Sequence, residues 1–356
     1  MARKRGGARG RSTGPLTYRD AGVDIAGRTE AALARVKPLI RDTFTPQVAS
    51  DVGTFGAMFS VSDWAEGDTL LVTSVDSVGT KVMVATMMNR HDTVGQDLVN
   101  HCANDILVQG ARPLFFMDYI AADRLPPELV VPLIEGLAKA CKAIGCALIG
   151  GEMAELPGVY REGEYDLVGF IGGAVKRERT VRGDRIRPGD VLLGIASDGL
   201  HTNGYSLARK VFFEVAGLSA QDEVEELGGS VGEALLRVHR CYVPAVRPLL
   251  EEFDIKGMAH ITGGGLPGNL VRCLPEGCRA KVRAESWERP PIFKVMQEIG
   301  QIVDDEMFHT FNMGVGFVLV VEEGTADAVA SSLSAKGERV YRIGEVEAGE
   351  RAVVIY

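Results

Sequence analysis

The stretch Ser74-Val-Asp-Ser-Val-Gly-Thr-Lys81 (SVDSVGTK) follows the apolar run Thr69 to Val75 and sets a carboxylate and an ammonium five residues apart around one glycine. Its Gly-Thr-Lys ending is like that of a phosphate loop. The Walker pattern, however, needs two glycines and a hydroxyl residue after the lysine, and Val82 stands there. A carboxylate at a strand end can instead hold a divalent cation, with a nearby ammonium on the phosphates that the cation bridges. On that reading Leu70–Val75 is a buried strand, and the rest of the site has to be sought outward from it.

Downstream, Thr93–Gly110 reads as a helix with Val94, Leu98, Val99, Cys102 and Ile106 on its apolar face. Pro113–Ile120 (PLFFMDYI) is a strand, Pro126–Ala143 a helix, Cys146–Ile149 an apolar run into Gly150-Gly151, and Asp166–Val175 (DLVGFIGGAV) another strand. Such alternation indicates an α/β or α+β domain. The charged stretch Lys176–Asp190 (KRERTVRGDRIRPGD) ends in a Pro-Gly turn and marks the boundary. The chain then divides into a basic tail (1–15), an N-terminal domain (16–178) and a second α/β domain (179–356). In the second domain Val191–Ala196, Met258–Ile261, Phe317–Val321 and Val353–Tyr356 read as strands. Asn203–Val215 and Thr325–Ala335 read as helices, and Val231–Leu250 as a helical region broken at Pro244.

With 356 residues the chain is longer than one core usually grows, which fits two domains. The net charge of −9, despite five basic residues and no acid in the first fifteen, argues against a nucleic-acid surface. That Arg/Gly-rich start is expected to be disordered, with a transit peptide or an RNA-touching tail as the alternatives. No run approaches the ~20 apolar residues that span a bilayer, so no membrane partner and a cytoplasmic location are expected. The six cysteines form no C-x-x-C pair and are read as reduced.

Polar residues gather at the ends of apolar segments, where α/β folds place ligands. Asp76 and Lys81 follow one strand, Asn104 and Asp105 lie on a helix, Asp118 ends a strand, and Glu152 and Glu155 follow Gly150-Gly151. Several carboxylates with one lysine suit Mg²⁺ bound to phosphates; each acid taken singly reads rather as a cap or a surface charge. Ser197–Ser206 (SDGLHTNGYS) links a strand to a helix that Thr202 or Asn203 can cap. Its free amides offer an anion site beside His201, or simply an ordinary capped turn. In His260–Gly265 (HITGGG), Gly263, Gly264 and Gly265 would let the backbone after Thr262 approach an oxyanion closely. No H-E-x-x-H zinc helix is present.

Together these stretches resemble the aminoimidazole ribonucleotide synthetase, or phosphoribosylformylglycinamidine cyclo-ligase, family. The resemblance runs from Leu16 to about Tyr356. It is carried by Tyr18–Asp24 (YRDAGVD), Asp76–Lys81, Arg90–Asp97 (RHDTVGQD), Asn104-Asp105 with Gln109–Ala111, Gly150–Glu155 (GGEMAE) with Pro157-Gly158, His201–Leu207 (HTNGYSL), His260–Gly265 and Phe311–Gly316 (FNMGVG). The GTK, GGE and TGGG elements mark only a wider superfamily of ATP-dependent kinases and synthetases; YRDAGVD, GGEMAELPG and HTNGYSL are narrower. The resemblance implies two mixed-sheet α/β domains, with N-terminal sheets pairing across a homodimer. It also implies ATP-dependent ring closure of formylglycinamidine ribonucleotide in purine biosynthesis.

By the same resemblance Asp76, Asp105 and Glu152 would ligate Mg²⁺. Gly79, Thr80, Lys81, Asp118 and the Thr262–Gly265 amides would serve ATP or its phosphates, as would Lys37 on a helix over Thr29–Lys37. Asp105, His201 and Asn203 would be catalytic. Whether K⁺ assists is left open. Two departures stand out: Ser77 replaces a common glycine, and Asp51–Gly56 (DVGTFG) replaces a more glycine-rich run. A kinase or synthetase acting on another small molecule, and an ATP-binding scaffold without chemistry, are the competing readings.

Overall fold

The computed structural model describes residues 17, 46–51, 55, 57–62 and 68–356. The basic tail, the YRDAGVD stretch and Lys37 with its expected helix lie outside the described residues.

The first sheet has the order β1-β2-β5-β3-β4, with β1 at Ala57–Ser60, β2 at Thr69–Ser77, β3 at Arg112–Ala122, β4 at Ala147–Glu155 and β5 at Tyr165–Lys176. Its neighbours pair antiparallel except β3 and β4, which are parallel. Parallel strands need a crossover, and the helix α3 (Pro127–Ala143) supplies it. Before it come α1 (Lys81–Met88) and α2 (Asp92–Leu107).

Helix α2 places the site. Val94, Leu98, Val99, Cys102 and Ile106 are all fully buried, as their spacing predicts for a face lying on a sheet. Yet the opposite face is buried too: of the sixteen residues only Asp92 and Gln96 are not, and Asp97, Asn100, His101, Asn104 and Asp105 are enclosed with the rest. Polar side chains leave water only where partners await them. Some of those partners come from β2 and α1 and the others from the second domain, so α2 is sandwiched between the first sheet and that domain.

The second sheet has the order β13-β10-β12-β6-β11-β9. Its strands are β6 (Val191–Ala196), β9 (Gly257–His260), β10 (Cys278–Val282), β11 (Val315–Val321), β12 (Val340–Ala348) and β13 (Ala352–Ile355); a small ribbon pairs β7 (Glu223–Val224) with β8 (Gly229–Ser230). The central strands β6 and β11 are buried at every residue, because the sheet is covered on both faces. The first sheet ends at Lys176 and the second begins at Val191, with the short turn helix Arg177–Arg179 between them.

Some expectations need correction. Asp118 does not end a strand but sits in the middle of β3, and Gly150-Gly-Glu152 is interior to β4 rather than after it. The helix expected over Asn203–Val215 begins at Tyr205 as α4 (Tyr205–Arg209) and continues as a π-helical turn, Lys210–Val215. The region around Pro244 is three short helices, not one broken helix. Among the described residues no helix is long and apolar enough to cross a membrane.

Candidate functional site

The cross-strand register aligns Asp76 with Gly169, Gly169 with Asp118, and Asp118 with Gly151. Residues in register share a face, so both aspartates lie on the α2 side of the sheet. The glycines give them room: a Cβ at Gly151 would stand 2.5 Å from the Asp118 carboxylate oxygen. Glu152 is in register with Tyr119, so pleat alternation sends it to the opposite face, exposed on an edge strand. The structure therefore does not bring Glu152 to the other acids.

Lys81 opens α1 and is completely buried. Its ammonium meets Asp97 of α2 at 2.7 Å and donates to the backbone carbonyls of His201 (3.0 Å) and Arg237 (2.7 Å). Three acceptors match its three protons, leaving none for a phosphate, so here Lys81 docks the second domain onto the first. Burial pushes Lys81 down and Asp97 up, while each charge holds the other toward its ionised form. Asp97, one of the quoted stretch Arg90–Asp97, also accepts the His239 amide at 2.6 Å.

Beside this pair four of the chain's six histidines converge. The His101 Nε2 donates to Asp76 at 2.7 Å, and its Nδ1 lies 2.6 Å from the Thr202 hydroxyl. Thr202 in turn lies 3.2 Å from His239 Nδ1, and the Nε2 atoms of His239 and His260 are 2.9 Å apart. His260 Nδ1 reaches Asp105 at 2.8 Å, and Ser74 donates to the other Asp105 oxygen at 3.2 Å. Asn104 holds the loop below by donating to the Arg240 carbonyl and accepting from the Tyr242 amide.

Burial lowers His101, but the Asp76 carboxylate, followed by Asp105 and Asp97, outweighs it and raises the ring to about 9. His101 is therefore a cation at neutral pH. Burial and the neighbouring cationic and histidine groups hold His201 and His239 far below the ordinary range, and burial leads the lowering of His260 despite Asp105. A raised folded-state value stabilises the fold below the unfolded value near 6.5, and that stability is lost as pH rises through 9. We expect roughly 3 kcal/mol of unfolding free energy to disappear between about pH 6.5 and 9.5. Denaturant titrations across that range should show the loss in the wild type and not in His101→Gln.

His201 sits at the tip of the loop after β6 with a left-handed φ of 61°, uncommon for a non-glycine residue. Its ring stacks on His239, with centroids 4.0 Å apart, and among the described residues neither ring nitrogen has a hydrogen-bond partner, although the residue is 2% exposed. The Asn203 Oδ1 is likewise buried without a partner among the described residues. Each such atom costs about 1–3 kcal/mol, a cost that a ligand can offset. Space for the ring is provided by Gly316, where a Cβ would fall 2.5 Å from the His201 Cε1. Asn312 fixes the loop, accepting from Ser197 (2.8 Å) and donating to the Gly199 carbonyl (2.8 Å).

Thr262 to Gly265 run into the short helix α5 (Gly265–Leu270), and here conformation accounts for the glycines. Gly264 and Gly265 have φ of 95° and 59°, and a Cβ at Gly265 would lie 1.8 Å from the Phe308 carbonyl oxygen. Asn269, which the sequence reading passed over, ties the turn by donating to the carbonyls of Thr262, Gly263 and Gly265. Gly265→Ala should cost roughly 2–3 kcal/mol from overpacking and backbone strain; a thermal scan with an unshifted midpoint would refute this. Gly79 and Thr80 line a cavity of about 490 Å³ with Ser77, Met83 and Tyr165. A larger one, about 730 Å³, lies at the charged interdomain junction and touches none of the histidines.

The fold and this interdomain cluster define a class, the two-domain AIR synthase-related proteins. Residues 53–175 match the model "AIR synthase related protein, N-terminal domain" and residues 187–356 the corresponding C-terminal domain. The phosphoribosylformylglycinamidine cyclo-ligase of Syntrophotalea carbinolica is 50% identical over 345 residues, covering 96% of this chain and 98% of that protein. That of Alkaliphilus metalliredigens is 47% identical over 340 residues, with 96% and 98% covered. The chain belongs to the phosphoribosylformylglycinamidine cyclo-ligase family. Among solved structures, thiamine-monophosphate kinase from Stenotrophomonas maltophilia shares the fold at TM-score 0.61 and 18% identity, covering 93% of this chain and 96% of its own.

Proposed function

We infer that this chain closes the imidazole ring of aminoimidazole ribonucleotide from formylglycinamidine ribonucleotide, consuming ATP and releasing ADP and phosphate. The observation that carries the reading is the pair of orphaned buried polar groups, His201 and Asn203, set against Asp76, Asp105 and three further histidines where the two domains meet. The formyl oxygen is a poor leaving group. Transfer of the γ-phosphoryl to it makes an iminophosphate, the amidine nitrogen attacks the former formyl carbon, and phosphate departs. A neutral His201 can accept or return a proton at that reacting end. Asp105, whose oxygens are held by Ser74 and His260, orients the His260 ring, and Asn203 supplies an acceptor to a substrate N–H.

Mg²⁺ takes oxygen ligands, and Asp76 fits: its carboxylate is 34% exposed at the end of β2. Asp118 stands in the same cross-strand row on the same face, two strands away. Bound there with ATP, Mg²⁺ would neutralise phosphate charge. The Gly79–Thr80 cavity has the size of a nucleotide subsite.

Two chains would pair through the face of the first sheet that no described element covers. Val75, Phe170 and Met117 form one cross-strand row on it and Val168 and Tyr119 the next, all at least partly exposed. Such a contiguous apolar face suits a self-complementary partner, and reduced cysteines suit the cytoplasm. The test is a coupled assay with Mg-ATP and formylglycinamidine ribonucleotide. Equal formation of phosphate and aminoimidazole ribonucleotide is expected; phosphate without the ring product, or a phosphorylated product, would overturn the reading. Sedimentation should give a dimer, and Val75→Glu a monomer.

A further inference from the structure

The four-histidine cluster contains more nitrogen donors than an oxygen-ligated Mg²⁺ site uses. The ligand atoms of His201, His239 and His260 all lie within 4.8 Å of one another, and the three residues are 2%, 0% and 0% exposed. His260 and His239 are each held at Nδ1, by the Asp105 carboxylate and the Thr202 hydroxyl respectively, so their Nε2 atoms face each other at 2.9 Å. A metal-bound histidine is normally held through its second nitrogen in this way. One proton between the two Nε2 atoms satisfies that pair without a metal. It does nothing for His201, both of whose nitrogens stay buried and, among the described residues, unpartnered whichever tautomer it adopts.

We propose that His201, His239 and His260 form a binding site for one borderline transition-metal cation of the Zn²⁺ class, distinct from the oxygen-ligated Mg²⁺ site. Neutral imidazoles suit Zn²⁺, Co²⁺ and Ni²⁺, whereas Mg²⁺ selects oxygen. Burial holds all three rings on the neutral side, the form that ligates. Nitrogens around a tetrahedral ion at about 2.0–2.1 Å lie about 3.3 Å apart. The His239–His260 pair needs to open by only a few tenths of an ångström, while the His201 ring must swing out of its stack on His239. Three protein ligands leave a fourth position open, as in the zinc sites that bind a water or a substrate atom. A metal held by His201 would occupy the lone pair that proton transfer uses, so the bound cation is expected to inhibit turnover.

The experiment is a Co²⁺ titration of the full chain without a polyhistidine tag, followed by visible spectroscopy and by competition with Zn²⁺ and with excess Mg²⁺. One equivalent is expected to bind with visible ligand-field bands, to be displaced by Zn²⁺ and to resist Mg²⁺. His239→Gln should weaken binding at least tenfold. If that variant does not fold, His201→Asn, which tolerates the left-handed backbone, should do the same. His309→Ala, an exposed histidine outside the cluster, should leave binding unchanged. Absence of the bands at saturating Co²⁺, a thiolate-to-cobalt band in their place, ready displacement by Mg²⁺, or undiminished binding in the folded cluster variants would overturn the proposal.

Discussion

Lys81→Met is expected to destabilise the fold by about 3–5 kcal/mol, the usual cost of removing one partner from a buried ion pair. The reason lies in what remains: Asp97, fully enclosed, would keep a carboxylate opposite an apolar side chain, and the His201 and Arg237 carbonyls would lose their donor. The double variant Lys81→Met, Asp97→Asn should recover a large part of that loss. The asparagine removes the uncompensated charge yet keeps an acceptor for the His239 amide, which Asp97 binds at 2.6 Å. Urea unfolding of the wild type, single and double variants would settle it. A single variant within about 1 kcal/mol of wild type would mean that the pair does not clamp the domains together.

His201→Ala should lower kcat by about 10²- to 10⁴-fold, the range for loss of a positioned acid–base group, with a much smaller change in KM. Folding should survive, because the ring makes no hydrogen bond that its removal would break and the nearby backbone is fixed by Asn312 and Lys81. The measurement is steady-state turnover on protein with unchanged circular dichroism and melting temperature. Turnover within about threefold of wild type would remove His201 from the proton-transferring role. Asp105→Asn should lose turnover too, while leaving His260 misoriented, because an amide offers His260 Nδ1–H a weaker acceptor.

Much of the fold was legible in short patterns. The apolar spacing of Val94, Leu98, Val99, Cys102 and Ile106 gave the face of α2 that packs on the sheet, and the run Val191–Ala196 gave the strand β6. Weaker signals failed: β12 carries alternating charges and glycine at Val340–Ala348, and its pairing to β6 and β10 rests on distant partners that no local period announces. Glu152 was misjudged because β4 runs through the two glycines, which places the acid on the other face. His101, His239, Asp97 and Asn269 were missed as functional or positioning residues because single polar residues inside apolar patterns carry no spacing signal.

By itself the sequence determined the two-domain α/β plan and the family, since period and motif are local properties of the chain, and it put forward Asp76, Asp105, His201 and Asn203 as candidates. Only the tertiary structure decided what Lys81 does and where the histidines go. His101, His201, His239 and His260 are separated by up to 159 positions, 260 minus 101. They meet because the second domain buries the polar face of α2, and buried polar groups must find partners wherever the fold brings them.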